Sequence, residues 1–221
     1  MTTLSSTLWS SVGKKFISGF TGLIWTGFIT VHLLGNLMLF SSDSSHFNSY
    51  AEFLIGTGEL LYFFEAALIL TLLFHMLAGF SVWLSKLRSR PVKYHVSGNA
   101  GGNSRKTISS VTMIFTGFVV IVFLVLHISN FKYGVGSEIE EDLYQRVYDA
   151  FSNPVYTFTY VLALVLLGFH LRHGFWSAFQ SLGVSHPRYS PFIYGLGITI
   201  ALVLAAGFVA IPLYIFFTGG A

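Results

Sequence analysis

The residues of this sequence best suited to chemistry are its eight histidines, five of which lie inside long apolar runs. The five apolar-run histidines are His32, His75, His127, His170 and His173. The other three lie in polar connections and are expected to be solvated: His46, His95 and His186. A histidine at membrane depth is costly unless it binds a ligand, carries protons or packs against a partner. The five are therefore the first candidates for a functional site.

The composition is that of an integral membrane protein. Of the 221 residues, 53% are hydrophobic and only 10% are charged, against roughly 25% charged in soluble domains. The basic pI of about 9.1 does not indicate nucleic-acid binding, because the lysines and arginines lie at the ends of apolar runs. The absence of cysteine excludes disulfides, thiolate catalysis and iron–sulfur ligation within this chain.

Five apolar segments are long enough to span a hydrocarbon core, which takes about 20 helical residues. They are predicted near residues 16–40, 60–84, 108–131, 155–180 and 192–217. The sequence thus predicts an all-α membrane protein with one domain over residues 1–221. The first run is longer than the roughly 7–15 apolar residues of a cleavable signal peptide. The connections are expected to be loops, including SSDSSHFNSY (41–50), except that LYQRVYDAF (143–151) suits a short interfacial helix.

The distribution of lysine and arginine predicts the orientation of the chain. Ten of these residues flank one set of span ends, and only Lys132 and Arg146 flank the other. Cytoplasmic connections carry the excess of positive residues, so the N-terminus is predicted to be cytoplasmic. All nine acidic residues fall on the opposite side or in the outer half of the second span.

With this topology, four of the histidines fall at two levels. The first and third spans run outward and carry His32 and His127 late, so both lie in the outer half. The second and fourth spans run inward and carry His75 and His170 late, so both lie in the inner half. Two histidines on different helices at one level can bind the iron of one haem from its two faces. The arrangement favours two haems stacked across the membrane; the alternatives are a histidine-lined proton or ion path and simple helix packing.

The spacing relates the two helical hairpins to each other. His32 and His75 are 43 residues apart, and so are His127 and His170. The stretches TGLIWTGFITVH (21–32) and TGFVVIVFLVLH (116–127) both place nine residues between a Thr-Gly pair and a histidine. The pattern indicates either a pseudo-repeat or a coincidence of spacing.

The runs around these histidines resemble a known family, the membrane-anchor cytochrome b subunit of succinate:quinone oxidoreductases. They are VHLLGN (31–36), LFHMLAG (73–79), VLHISN (125–130) and FHLRHGFWSAFQSLG (169–183). The likeness is to the five-helix, two-haem type of bacterial succinate dehydrogenases and fumarate reductases. VGKKFISGFTGL (12–23) and SHPRYSP (185–191) resemble its b558 branch. The resemblance extends over nearly the whole chain and is weakest in the connections.

The resemblance implies a bundle of the first four helices around two b haems, with the fifth helix at the flank. It implies His32 and His127 as iron ligands of the outer, distal haem, and His75 and His170 as ligands of the inner, proximal haem. A flavoprotein subunit would oxidise succinate, and an iron–sulfur subunit would pass electrons through the haems to a quinone, usually menaquinone. The dicarboxylate site would lie on another subunit, and the chain in a bacterial cytoplasmic membrane.

Three further residues are candidates for supporting roles. Glu65 is an acid well inside a span and is expected to exchange protons with the quinone, with Glu59 as its rival and a buried hydrogen bond as the plainer role. Arg172 and His173 lie near the inner haem level and are candidates for haem propionate contacts. Arg172 also suits a plain anchor that reaches the lipid head groups.

Two other functions fit the same residues. One is a cytochrome b subunit of a different quinone-linked dehydrogenase. The other is a non-haem transporter that uses the histidines and Glu65 as a proton relay. Lys14, Lys15, Arg105 and Lys106 suit either contact with anionic lipid or docking of the soluble subunits.

Overall fold

The computed structural model describes residues 7–89, 107–134 and 142–219 of the chain. Five of its helices are long and apolar enough to cross a membrane: Ser11–Phe40, Glu59–Arg88, Met113–Lys132, Pro154–Ser181 and Ser190–Thr218. A helix suits a bilayer because it satisfies its own backbone N–H and C=O groups, which lipid cannot do. The predicted all-α class and five spans are confirmed, with end points that differ by at most five residues.

The α-helices are numbered in chain order: α1 (Ser11–Asn36), α2 (Ser44–Gly56), α3 (Glu59–Arg88), α4 (Ile108–Val111), α5 (Met113–His127), α6 (Leu143–Ser152), α7 (Pro154–Ser181) and α8 (Ser190–Thr218). A 3₁₀ turn, Leu37–Phe40, continues α1 to the end of its span. A π-helical turn, Ile128–Lys132, continues α5 directly after His127.

Short polar side chains begin several of the helices. The Ser10 hydroxyl accepts a hydrogen bond from the Gly13 N–H at 3.1 Å and starts α1. Asn153 accepts from the N–H groups of Val155 and Tyr156, and Pro154 occupies the first position of α7. Such caps satisfy N–H groups that have no partner within the helix, and proline suits the first turn because it lacks an N–H.

Gly183 ends α7. It has a φ of +85°, a backbone conformation that favours glycine. Its N–H donates to the Gln180 carbonyl at 3.2 Å, and the Val184 N–H donates to the Phe179 carbonyl at 2.9 Å. This pair of bonds is the Schellman arrangement, which satisfies the last carbonyls of a helix and turns the chain away.

Two details differ from the sequence-based expectation, and one agrees. The expected first loop is wrong in part, because residues from Ser44 form α2, whose first turn Asp43 caps by accepting from the Ser45 N–H at 2.9 Å. The third span does not run unbroken from 108: a separate turn, α4, precedes it and Thr112 interrupts it. The predicted interfacial helix is present as α6.

The fourth span, α7, is the central helix of the bundle. It packs against α1, α5 and α8, while α3 packs chiefly against α1. The last helix, α8, lies at the flank of α7 and α1, as predicted. In the most apolar windows of α3 and α5 only 6% of residues are buried, against 33% for α7. Most of the surface of helices α3 and α5 is therefore not buried against the other helices of the bundle.

The short helices α2 and α6 pack on each other beside the span ends that the sequence predicts to be outer, and together they are called here the outer cap. The Asn48 amide donates to the Asp142 carboxylate at 2.9 Å, and its carbonyl accepts from the Tyr144 N–H at 3.1 Å. The hydroxyls of Tyr144 and Tyr148 donate to the backbone carbonyls of Ser41 and Leu39. These bonds fix the cap to the end of the first span.

Candidate functional site

The histidine pair at the predicted inner level, called here the inner pair, joins α3 to α7. The ring centres of His75 and His170 are 6.3 Å apart, and the ring planes are inclined by 65°. The two residues are 95 positions apart in the chain, so only the packing of the hairpins brings them together.

The outer histidine pair joins α1 to α5. The ring centres of His32 and His127 are 5.8 Å apart, and the planes are inclined by 88°. On α1, His32 follows Thr21, which contacts His75, by 11 residues, or about 16 Å along the axis at 1.5 Å per residue. The structure thus places two facing histidine pairs at two separate levels.

Helix α1 holds the His75 ring by its Nδ1 edge. Nδ1 lies 2.9 Å from the Ser18 carbonyl and 3.4 Å from the Thr21 hydroxyl oxygen. A carbonyl only accepts hydrogen bonds, so Nδ1 carries the proton. Nε2 then keeps its lone pair and is the nitrogen available to bind a metal.

Helix α5 holds the His170 ring in the same way. Nδ1 lies 3.3 Å from the Thr116 hydroxyl oxygen, and this hydroxyl donates to the Met113 carbonyl at 3.1 Å. Met113 precedes Thr116 by three residues, as Ser18 precedes Thr21. The inner pair is therefore held symmetrically by its two hairpins.

The outer pair has different surroundings, made mainly of aromatic rings. The Asn36 amide lies 3.4 Å from His32 Nε2, and its firm bond is to the His32 carbonyl at 2.7 Å. His127 Nδ1 is buried and has no hydrogen-bond partner within the described residues. Phe28 stacks on His32 at 5.5 Å, and Tyr160 lies 6.2 Å from the His127 ring.

These distances fit one metal between each pair of rings. Imidazoles that bind one ion from opposite sides at about 2 Å each have ring centres about 6 Å apart. Within the described residues, no group of three His, Cys, Asp or Glu side chains can hold a metal ion. A pair of histidines alone suits a metal whose other ligands come from its own macrocycle, and haem iron is such a metal.

Trp25 provides a second observation of fit. Its Nε1 is buried and has no partner in the described part of the chain. Trp25 follows Thr21 by four residues and precedes His32 by seven, so it shares their face of α1, between the two levels. A buried N–H without an acceptor is costly, and the carboxylates of a haem are acceptors of the right kind.

Glu65 forms an ion pair with Lys132. The pair joins α3 to the π-helical turn that follows His127, at the outer end of both helices. Both side chains are partly buried, with 29% of the glutamate and 39% of the lysine exposed. The rival, Glu59, lies in the first turn of α3 and is exposed. The sequence indicates Glu65 but does not reveal its partner, which lies on another helix.

Arg172 is bonded to two neighbouring helices. Its guanidinium donates to the buried Ser109 hydroxyl and to the Tyr194 hydroxyl, both at 3.1 Å. Arg172 therefore links α7 to α4 and α8. This structural role differs from both predicted roles, a propionate contact and a lipid anchor. His173 is half-buried and lies near the positive charges of Arg172 and Lys86.

Of the remaining candidates, Lys14 and Lys15 lie near the start of α1. Arg105, Lys106 and the loop histidine His95 lie outside the described residues. His46 and His186 are exposed, as expected. The hydroxyls of Thr21 and Thr116 were missed as site residues, although the repeated Thr-Gly pair was a signal that pointed to them.

A sequence model of the succinate dehydrogenase/fumarate reductase transmembrane subunit family matches residues 86–212. The match runs from the end of α3 into α8, which is more than half of the chain, and includes His127 and His170 but not His32 and His75. No curated protein and no solved structure matches the chain. The chain therefore belongs to the family of membrane subunits of succinate dehydrogenase and fumarate reductase complexes.

Proposed function

We propose that this protein is the dihaem cytochrome b anchor of a succinate dehydrogenase or fumarate reductase. In this role it passes electrons between the iron–sulfur subunit and a membrane quinone, with menaquinone as the expected quinone. The observation that carries the proposal is the pair of facing histidine rings at each of two membrane levels, 5.8 Å and 6.3 Å apart. Membership of the family supports it independently, because the family's complexes oxidise succinate or reduce fumarate.

The four histidines would hold the two haem irons. His32 and His127 would hold the outer, distal haem b, and His75 and His170 the inner, proximal haem b. Haem iron supplies reversible one-electron chemistry. The chain itself supplies no such chemistry, because its sequence contains neither cysteine nor a dinucleotide-binding fingerprint. The chain's own part is to hold the rings at fixed spacing, to keep water away and to orient each lone pair.

The two levels give electron transfer a direction across the membrane. The positive-inside distribution puts the inner pair near the cytoplasmic face, where the flavoprotein and iron–sulfur subunits would dock. Electrons from succinate would then reach the inner level first and the outer level second. The protein would be a multi-pass subunit of a bacterial cytoplasmic membrane with a cytoplasmic N-terminus.

Glu65 is the proposed proton-exchanging group for the quinone. Quinone reduction consumes protons as well as electrons, so a carboxylate near the outer haem level has a chemical use. The ion pair with Lys132 supports this assignment, because it keeps the carboxylate at the outer ends of α3 and α5, near His127. Lys132 would contribute by holding the Glu65 carboxylate in position.

A reduced-minus-oxidised absorbance spectrum of the purified complex tests the proposal. We expect a b-type α band, two haems per copy of this chain, and co-purification of a flavoprotein and an iron–sulfur subunit. A complex without a b-type band would overturn the haem assignment. Haems without the flavoprotein would instead favour a cytochrome of a different quinone-linked dehydrogenase.

A further inference from the structure

We propose that two Thr-Gly pairs, Thr21-Gly22 and Thr116-Gly117, are the positioning elements of the inner haem. Each pair is called here a Thr-Gly cradle. Each cradle sets the rotation of one inner histidine ring and contributes to keeping the proton on its Nδ1. This inference rests on the proposed function, since the ring that is positioned is taken to be a haem ligand.

The threonine hydroxyls are oriented so that they accept from the histidines. Thr21 is buried, and its hydroxyl donates to the Ile17 carbonyl at 2.6 Å, so its lone pairs remain for His75 Nδ1 at 3.4 Å. Thr116 is also buried, and its hydroxyl donates to the carbonyls of Thr112 and Met113, each at 3.1 Å. Its oxygen then accepts from His170 Nδ1 at 3.3 Å.

The glycines allow the rings to approach the helix backbone. A Cβ added at Gly22 would lie 3.1 Å from His75 Cε1, and one added at Gly117 would lie 3.2 Å from His170 Cε1. Contacts this short would force the ring to move. The threonine hydroxyl and the glycine of each cradle thus contact the same Nδ1–Cε1 edge of the histidine ring. The hydroxyl accepts a hydrogen bond from Nδ1, and the glycine leaves space for the ring.

The cradles repeat between the hairpins. Thr21 and His75 are 54 residues apart, and so are Thr116 and His170. Each hairpin therefore orients its own inner histidine through a contact between its own two helices. Neither outer histidine has a contact of this kind, because His32 faces Asn36 and His127 Nδ1 has no partner in the described residues. The effect of the cradles is confined to the inner level.

The test compares Thr21→Val, Thr116→Val and Gly22→Ala with wild type in the assembled complex. Thr26→Val is the matched control, because Thr26 is a buried threonine of α1 whose hydroxyl bonds the Gly22 carbonyl at 2.9 Å and not an imidazole. The readouts are the low-spin ferric EPR signals, which respond to the angle between axial rings, and the midpoint potential of each haem. The inner haem is identified as the one that His75→Ala removes.

We expect both valine variants to retain two haems, to shift the inner EPR signal and to raise the inner midpoint potential. The potential rises because an imidazole with fewer Nδ1–H acceptors is a weaker base and stabilises the ferric state less. Serine in place of either threonine keeps the hydroxyl and should restore both values. Gly22→Ala should lower inner haem occupancy, and the outer signal should not change in any variant.

Three results would overturn the inference: an inner signal that is unmoved in all three variants, an outer signal that moves equally, or a Thr26→Val control that reproduces the shift. Failure of the proposed function would give a different result from all three, because the complex would then contain no b haem to measure.

Discussion

His170 and His173 differ in what they face, although only three residues separate them. His170 lies against His75 and is held by the Thr116 hydroxyl, whereas His173 is half-buried near Arg172 and Lys86. The neighbours of each imidazole thus determine its chemistry. Substitution of the two residues is therefore expected to have opposite effects on the inner haem.

Replacing His170 with alanine should remove the inner haem and leave the outer haem, because a haem with one protein ligand is held poorly. His173→Ala should retain both haems and at most shift the inner midpoint potential. Haem content and redox titration of the two variants provide the measurement. Loss of the inner haem in His173→Ala with its retention in His170→Ala would reverse the assignment.

Replacing Glu65 with glutamine should lower quinone turnover by roughly 100-fold, a typical loss for a proton-transferring group. Glutamine keeps the size of the side chain but carries no exchangeable acid proton, so both haems should remain bound. Quinone reductase activity and the difference spectrum, measured on the same preparation, check this prediction.

Glu59→Gln is the control, since Glu59 lies six residues earlier on α3 and is exposed. Its turnover should match wild type. Unchanged turnover in Glu65→Gln would remove this residue from the mechanism, and a large loss in Glu59→Gln would transfer the role to its rival.

The outer cap, formed by α2 and α6, depends on hydrogen bonds to a charged carboxylate. The Asp142 carboxylate accepts from the Gln145 N–H at 3.0 Å and from the Asn48 amide at 2.9 Å. The backbone bond from Gln145 and the side-chain bond from Asn48 hold the pKa of Asp142 below its ordinary value. Burial acts on Tyr148 in the same cap and raises the pKa of its phenol. The cap is thus stabilised by an ionised acid at Asp142 and a neutral phenol at Tyr148.

The stability of the cap should therefore fall in acid. Because the folded pKa of Asp142 is lowered, its contribution is present above the unfolded pKa of about 3.9 and is lost as pH falls through the folded value. Asp142→Ala should cost about 1 kcal/mol of local stability at pH 6, as loss of an N-cap does, and less at pH 3. Hydrogen exchange of α6 amides at both pH values measures the difference from wild type.

Asp149→Ala is the matched control on the same helix, because its carboxylate accepts only from the exposed Gln145 side chain among the described contacts. It should change protection of α6 little at either pH. An Asp142→Ala effect that is as large at pH 3 as at pH 6 would contradict a charge-dependent cap.

Across the whole molecule, the two hairpins are arranged so that each supplies one histidine to each level. Helices α1 and α3 carry His32 and His75, and α5 and α7 carry His127 and His170. The two levels are equivalent in this respect, so the proposed direction of electron transfer depends on which face of the membrane each level approaches. The orientation of the chain in the bilayer is therefore part of the proposed mechanism.

The predicted orientation can be measured because the chain contains no cysteine. Ser45→Cys, at the exposed start of α2, should react in intact cells with a membrane-impermeant maleimide. Ser185→Cys, in the exposed connection between α7 and α8, should react only after permeabilisation. The physical reason is the excess of lysine and arginine on the inner side. The reverse labelling pattern would invert the proposed direction of electron transfer.

The sequence alone determined the number of spans, their approximate ends and the two levels of histidines. These features are local, because hydropathy and helical rise depend on neighbouring residues and depth follows from position within a span. Resemblance of the runs around His32, His75, His127 and His170 also identified the family to which the chain belongs.

Only the tertiary structure decided which side chains meet across helices. The contact of Thr21 with His75, the ion pair of Glu65 with Lys132 and the bonds of Arg172 depend on how each helix is rotated about its axis. A helix that is apolar on all sides, as α3 nearly is, does not reveal its inward face through its sequence. The residues that orient the histidines could therefore be assigned only from the packing of one helix against the next.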